Sequence, residues 1–111
     1  MGISADLKAS VDALRDELGS DCTYNGVTAL GKCAIHDLSP AAIRELVSGD
    51  FEDELDRAWA MIEAPAEAPV RSGGRITIDA TDSAWVIRRV SRSMCGGVVM
   101  ALRCLCVAEA I

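Results

Sequence analysis

The sequence predicts a mainly β fold: a small antiparallel β-barrel or sandwich of about six strands, with an N-terminal amphipathic helix and a long loop at 37–56. Three observations lead there. Apolar residues recur at clear helical spacing only near the N-terminus. Alternation with period two marks 21–36 and much of 57–107, and turn-forming pairs such as Asn25-Gly26 separate the runs. A chain of 111 residues is the size of one domain, 1–111, and buries roughly 65% of the surface exposed by its unfolded form. Half of the residues are hydrophobic and 25% are charged, the balance of a globular chain.

The helix comes first. Ile3, Leu7, Val11, Leu14 and Leu18 form one stripe, with Ser4 as cap and Gly19 where a left-handed C-terminal residue is wanted. Asp6, Lys8, Asp12, Arg15 and Asp16 cover the other faces. The simplest packing sets the stripe against the domain's own sheet, and a partner subunit is the second surface it can meet. The helix is expected over 3–18.

After residue 20 the period changes. Asn25-Gly26 is the favoured pair of a type I′ hairpin. Residues 27 to 36 then alternate as a long strand, with Gly31 marking a bulge or a close approach. Ser39-Pro40 is a good helix start, with room for two turns from Ala41 to Val47. Asp50, Glu52, Asp53, Glu54 and Asp56 place five acids in seven residues. That run lacks the ligand order of a calcium loop and reads as a solvated acidic loop. Residues 57–63 fit a helix continuing from Phe51 and Leu55, or a strand with Trp59 and Met61 on one face. As strand residues, Phe51, Trp59 and Met61 are candidates for a subunit interface; core positions suit them equally.

The β signal strengthens from Ser72. Ser72-Gly73-Gly74 is a turn, Arg75 to Asp79 alternates, and Trp85 to Val90 is rich in strand formers. Gly96-Gly97 opens a last strand over 98–107. It lacks the pattern of a phosphate loop and reads as a hairpin turn.

Composition and spacing exclude several functions. The net charge of −6 opposes DNA binding by phosphate neutralisation. No apolar run reaches the roughly 20 residues of a membrane span. Met1 to Asp6 shows no secretory pattern, so a protein that works where it is made is expected. The odd count of five cysteines favours reduced thiols. A metal reading would gather Cys33 and His36 with Cys104 and Cys106, yet no CxxC occurs. Cys104 and Cys106 instead point to one face of a strand, as small core residues. His36 has neither an orienting partner nor a nucleophile in the pattern. No catalytic residue, metal or cofactor is expected, and the protein is not expected to be an enzyme.

One stretch is more specific: Trp59-Ala-Met-Ile62, a proline-broken turn, Val70 to Gly74, Arg75-Ile-Thr-Ile78, a tight turn, then Trp85 to Val90. It resembles the head–tail joining proteins of tailed bacteriophages, the lambda-type attachment or stopper (head-closure) family. Members share a short helix, an early hairpin, a long variable loop, a G-D-x-I/L-x-I strand and a W-x-V-x-x-V strand. The matching positions are Gly73, Gly74, Ile76, Ile78, Trp85, Val86 and Val90, with Gly74 where the family commonly has aspartate. The resemblance implies a structural virion protein of the neck, assembled in the bacterial cytoplasm as a homo-oligomeric ring of six or twelve copies. Such a ring joins the DNA-filled head to the tail and retains or gates DNA. Its partners would be an adaptor or portal protein above, a tail terminator or tail tube below, and passing double-stranded DNA without specific binding. The acidic loop, with Asp50, Glu52, Asp53, Glu54 and Asp56, would face the channel or a neighbouring ring. The alternatives are a tail terminator or a small cytosolic binding or regulatory domain.

Overall fold

The computed structural model describes residues 3–47 and 51–109. Helix α1 (Ile3–Leu18) leads into β1 (Ser20–Tyr24) and β2 (Thr28–Asp37), then α2 (Pro40–Val47) and a 3-10 turn (Glu52–Glu54). Strands β3 (Trp59–Ala64), β4 (Arg75–Ile78), β5 (Ser83–Cys95) and β6 (Val98–Ala108) follow. The six strands close into one antiparallel barrel, ordered β1-β2-β3-β6-β5-β4, with β4 pairing back on β1. The mainly β class, the barrel and the N-terminal helix are as the sequence predicts.

The tight turns follow local chemistry. Asn25 and Gly26 have φ of 51° and 77°, and the Val27 N–H donates to the Tyr24 carbonyl at 3.1 Å, as in a type I′ hairpin. Gly96 and Gly97, at φ 57° and 80°, turn β5 into β6. At Gly31 (φ 76°) the pairing steps from Cys22↔Gly31 to Thr23↔Ala29, so Leu30 is an extra residue. The bulge resets the alternation, and Leu30 and Cys33 both end up in the core.

Small side chains fill the barrel. Cys22, Cys33, Cys104 and Cys106 are all buried there with Ala60, Ala64, Ile62, Ile76 and Ile87. A six-strand barrel is narrow, and thiols and methyls fit where a full set of leucines would not.

Residues 59–64 are strand, which settles the ambiguity of 57–63. Ala60, Ile62 and Ala64 turn inward. Trp59 faces outward yet is only 2% exposed, because α2 and the segment after it cover that wall of the barrel. There Ile43 and Val47 meet Trp59, Leu105 and Val107, with Leu38, Phe51, Leu55 and Met61 partly buried around them. The two turns expected from Ala41 to Val47 are α2, whereas the expected solvated acidic loop after them is corrected: Phe51 and Leu55 join a second core outside the barrel. The Ser39 Oγ caps α2 by accepting from the Ala42 N–H at 3.2 Å.

Helix α1 is the second correction. Its leucine stripe does not pack on the barrel: Leu7, Leu14 and Leu18 are 41%, 56% and 78% exposed. The better-buried positions are Ala5, Lys8, Val11, Asp12 and Arg15, and Arg15 is only 8% exposed. Gly19 makes this packing possible without the left-handed φ expected of it. A β-carbon there would lie 2.5 Å from the Arg15 carbonyl oxygen and 2.8 Å from that of Cys33. The glycine lets the helix end sit directly on β2.

Candidate functional site

The acidic segment does not present its carboxylates uniformly. Asp50 lies outside the described residues, and so does the side chain of Glu52. Asp53 and Asp56 are exposed. Glu54 turns inward and takes two parallel bonds from Arg88, Nε to Oε1 at 2.8 Å and a terminal nitrogen to Oε2 at 2.7 Å. Arg57 adds a third at 2.5 Å and also donates to the Ala108 carbonyl. The Glu54 carbonyl accepts the Trp59 indole N–H at 2.8 Å. Glu54 is thus a clasp that fastens the segment to the barrel, not a solvated carboxylate like Asp53 and Asp56.

A bulge aims Arg88. The β5–β6 pairing steps from Ile87↔Cys106 to Arg89↔Leu105, leaving Arg88 as the extra residue. Bulges commonly redirect a side chain in this way. Its neighbour Arg89 donates to the Leu46 carbonyl at 3.4 Å and lies 5.8 Å from the centre of the Phe51 ring. Two consecutive arginines inside an apolar strand were the sequence signal for this contact. Their break in alternation marks the bulge.

The hydrogen bond from Arg88 holds the Glu54 carboxyl below its usual value of 4.5, helped by the charges of Arg88 and Arg57. A depressed folded-state value stabilises the fold above the unfolded value and loses that contribution as pH falls through the folded one. The wild type should therefore lose stability below about pH 4.5 partly through this clasp. Glu54→Gln should cost about 1–2 kcal/mol at neutral pH and flatten that part of the acid profile. Urea midpoints measured across the acid range test this, and an unchanged profile would remove the clasp from the account.

Of the candidate metal residues, Cys33, Cys104 and Cys106 share the barrel core while His36 stays outside it. Among the described residues no group of three or more His, Cys, Asp or Glu could hold a metal ion. Burial pushes the Cys104 thiol up to about 12 and also raises that of Cys106. These are neutral core thiols, poorly suited to ligation or attack. His36 is exposed at the end of β2, with its ring on an open groove. Of the interface candidates, Trp59 belongs to the outer core, and Phe51 and Met61 are half-buried against that core. Phe51 packs on Trp59 with ring centres 6.0 Å apart.

Two exposed features remain, and the sequence indicated neither clearly. The first is a groove of about 310 Å³ between α1 and the wall formed by β2 and β3. Val11, Leu14, Leu18 and Ile35 supply apolar lining, with Arg15 and Glu63 as polar groups. The second is the far end of the β5–β6 hairpin. Strand β6 meets β3 only from Leu102 onward, and β5 meets β4 only up to Val86. The stretch from Ser93 to Val99 is consequently a two-stranded hairpin end, with Met94 54% exposed and Cys95 exposed at its tip, while Met100 and Ala101 behind it are buried.

Comparisons of the chain with models of known families, with curated proteins and with solved structures found no match. No helix among the described residues is long and apolar enough to cross a membrane.

Proposed function

We propose that this protein is a structural, ring-forming connector of the bacteriophage neck, a stopper joining the filled head to the tail. The observation that carries the reading is a closed barrel with exposed apolar surfaces: the leucines of α1 and the tip of the β5–β6 hairpin at Met94. A connector needs such surfaces more than it needs a pocket with convergent reactive groups. The closed barrel after an N-terminal helix, and the long segment between the second and third strands, agree with the resemblance in the sequence. In this reading the protein acts in the virion neck, among portal-side and tail-side proteins. The exposed Asp53 and Asp56 contribute negative surface that lets DNA pass without adhering.

The groove beside α1 favours a second reading, a small binding domain, because it joins apolar walls to a few polar groups. Electron microscopy of the protein in its assembled state separates the two. Rings around an axial channel are the expected result. Discrete monomers at every concentration, with a small ligand held in the groove, would overturn the connector.

A further inference from the structure

We propose that α1 is a strap on the barrel: it lifts and melts as one unit while the barrel stays folded, with Gly19 as its pivot and Arg15 as the weak point of its closed position. Ring formation is not needed for this opening.

Little apolar surface holds α1 down. Among the described residues, none of the helix belongs to the barrel core or to the outer core. Of its side chains from 5 to 18, Arg15 alone is buried; Ala5, Lys8, Val11 and Asp12 are half-buried and the others are exposed. Ala5 and Val11 are thus the apolar side chains that α1 shields even in part, while Leu7, Leu14 and Leu18 lie in solvent. A helix in a folded protein draws most of its stability from an apolar face packed on the core. Here that face points away.

Polar contacts do not make up the difference. Arg15 loses its hydration on burial, yet its guanidinium bonds within the helix, to Asp12 at 2.6 Å, and its Nε has no partner. A buried donor without an acceptor carries a desolvation penalty that vanishes once the helix lifts into water. The Ser10 hydroxyl also bonds inside the helix, to the Asp6 carbonyl at 3.1 Å. The ion pair that crosses to the rest of the chain joins Lys8 to Glu67 at 3.4 Å, and the Glu67 side chain is 75% exposed. Water and salt screen such a pair.

The C-terminal end is held better. Gly19 lies so close to the Cys33 backbone that a β-carbon would not fit. Ser20 then enters the barrel in β1, paired with Cys33. Gly19 therefore stays seated on β2 when the rest of α1 lifts. A free helix of 16 residues is marginal in water, so lifting and melting go together. The 310 Å³ groove needs both of its walls: Val11, Leu14 and Leu18 come from α1, and Ala34 and Ile35 from the barrel. Opening dismantles the groove, and any molecule bound there holds the strap shut.

Native-state hydrogen exchange on the full chain tests the strap. Amides over 8–18 should share one opening equilibrium and exchange at least about a hundredfold faster than those of Ile62 and Ile87. Trypsin gives an independent reading, because Arg15 must leave its buried position to be cut. Cleavage after Arg15 should precede cleavage after Arg88 or Arg103 in the barrel. In Arg15→Met the unpaired donor is gone and a straight apolar chain remains. Protection over 8–18 should then rise about fivefold or more, with the barrel amides unchanged. Circular dichroism checks that the variant is folded.

Three results would count against the strap. Exchange over 8–18 as slow as at Ile62 and Ile87 would join α1 to the unfolding of the barrel and overturn it. Opening that grows steadily easier with distance from Gly19 would be fraying turn by turn, and would overturn the single unit. Unchanged or lower protection in Arg15→Met would overturn Arg15 as the weak point.

Discussion

Replacing Trp59 with alanine is expected to lower the unfolding free energy by about 3–5 kcal/mol, the usual range for deleting a buried aromatic side chain. Trp59 is 2% exposed and sits between Phe51 on one side and Leu105 and Val107 on the other. Its indole N–H also holds the Glu54 carbonyl, so one substitution empties the outer core and cuts a tie to the clasp. Domains of this size are stable by about 5–15 kcal/mol. The variant should melt at least about 12 °C lower, since each kcal/mol moves the midpoint by roughly 4–8 °C. Limited proteolysis gives the sharper reading. Cleavage should concentrate in 38–57, with the inner barrel still closed around Ile62, Ile76 and Ile87. Uniform cleavage along the chain would mean that the outer core is not a separate layer. Trp59→Phe keeps much of the apolar volume and loses the hydrogen bond, so its cost should be nearer 1–2 kcal/mol.

Gly19→Ala is expected to be the next most damaging change, at about 1–3 kcal/mol and toward the upper end of that range. Helix propensity alone argues the other way, because alanine is the better helix residue. Geometry decides the sign. The added carbon would meet two backbone carbonyl oxygens, of Arg15 and Cys33, at 2.5 and 2.8 Å. Backbone atoms cannot swing aside as a flexible side chain can. Contact at Gly74 would be more forgiving, since there the nearest atoms belong to the Tyr24 ring. Thermal melts of the two alanine variants should therefore rank Gly19 as the more sensitive. A stabilised Gly19→Ala would show that α1 does not rest on β2 in solution. That result would also remove the groove beside α1.

These two sites show where sequence reasoning worked and where it stopped. Gly19 is read correctly as special but for the wrong reason: a glycine after a helix suggests a left-handed residue, whereas the close approach to Cys33 involves a residue 14 positions away. Trp59 is ambiguous because a seven-residue apolar run carries no decisive period. Glu54 looks like its acidic neighbours, since nothing local shows that Arg88 lies opposite it. The doubled arginine at 88 and 89 was the one available hint.

The sequence by itself determined the local elements: the helix over 3–18, the Asn25-Gly26 and Gly96-Gly97 turns, the bulge at Gly31, and strands where apolar and polar residues alternate. These depend on neighbours within a few positions, whose sterics and hydrogen bonds are written in residue type. Only the tertiary structure decided which faces are covered. It put Leu38, Ile43, Val47, Phe51 and Leu55 into an outer core, turned Glu54 into a clasp, and left Leu7, Leu14 and Leu18 in solvent while burying Arg15. A hydrophobic stripe states that a face favours burial, but what covers it depends on residues far along the chain or on another molecule. For α1 the barrel takes the side of the helix that carries Arg15, because Gly19 lets it pack there, and Leu7, Leu14 and Leu18 remain exposed.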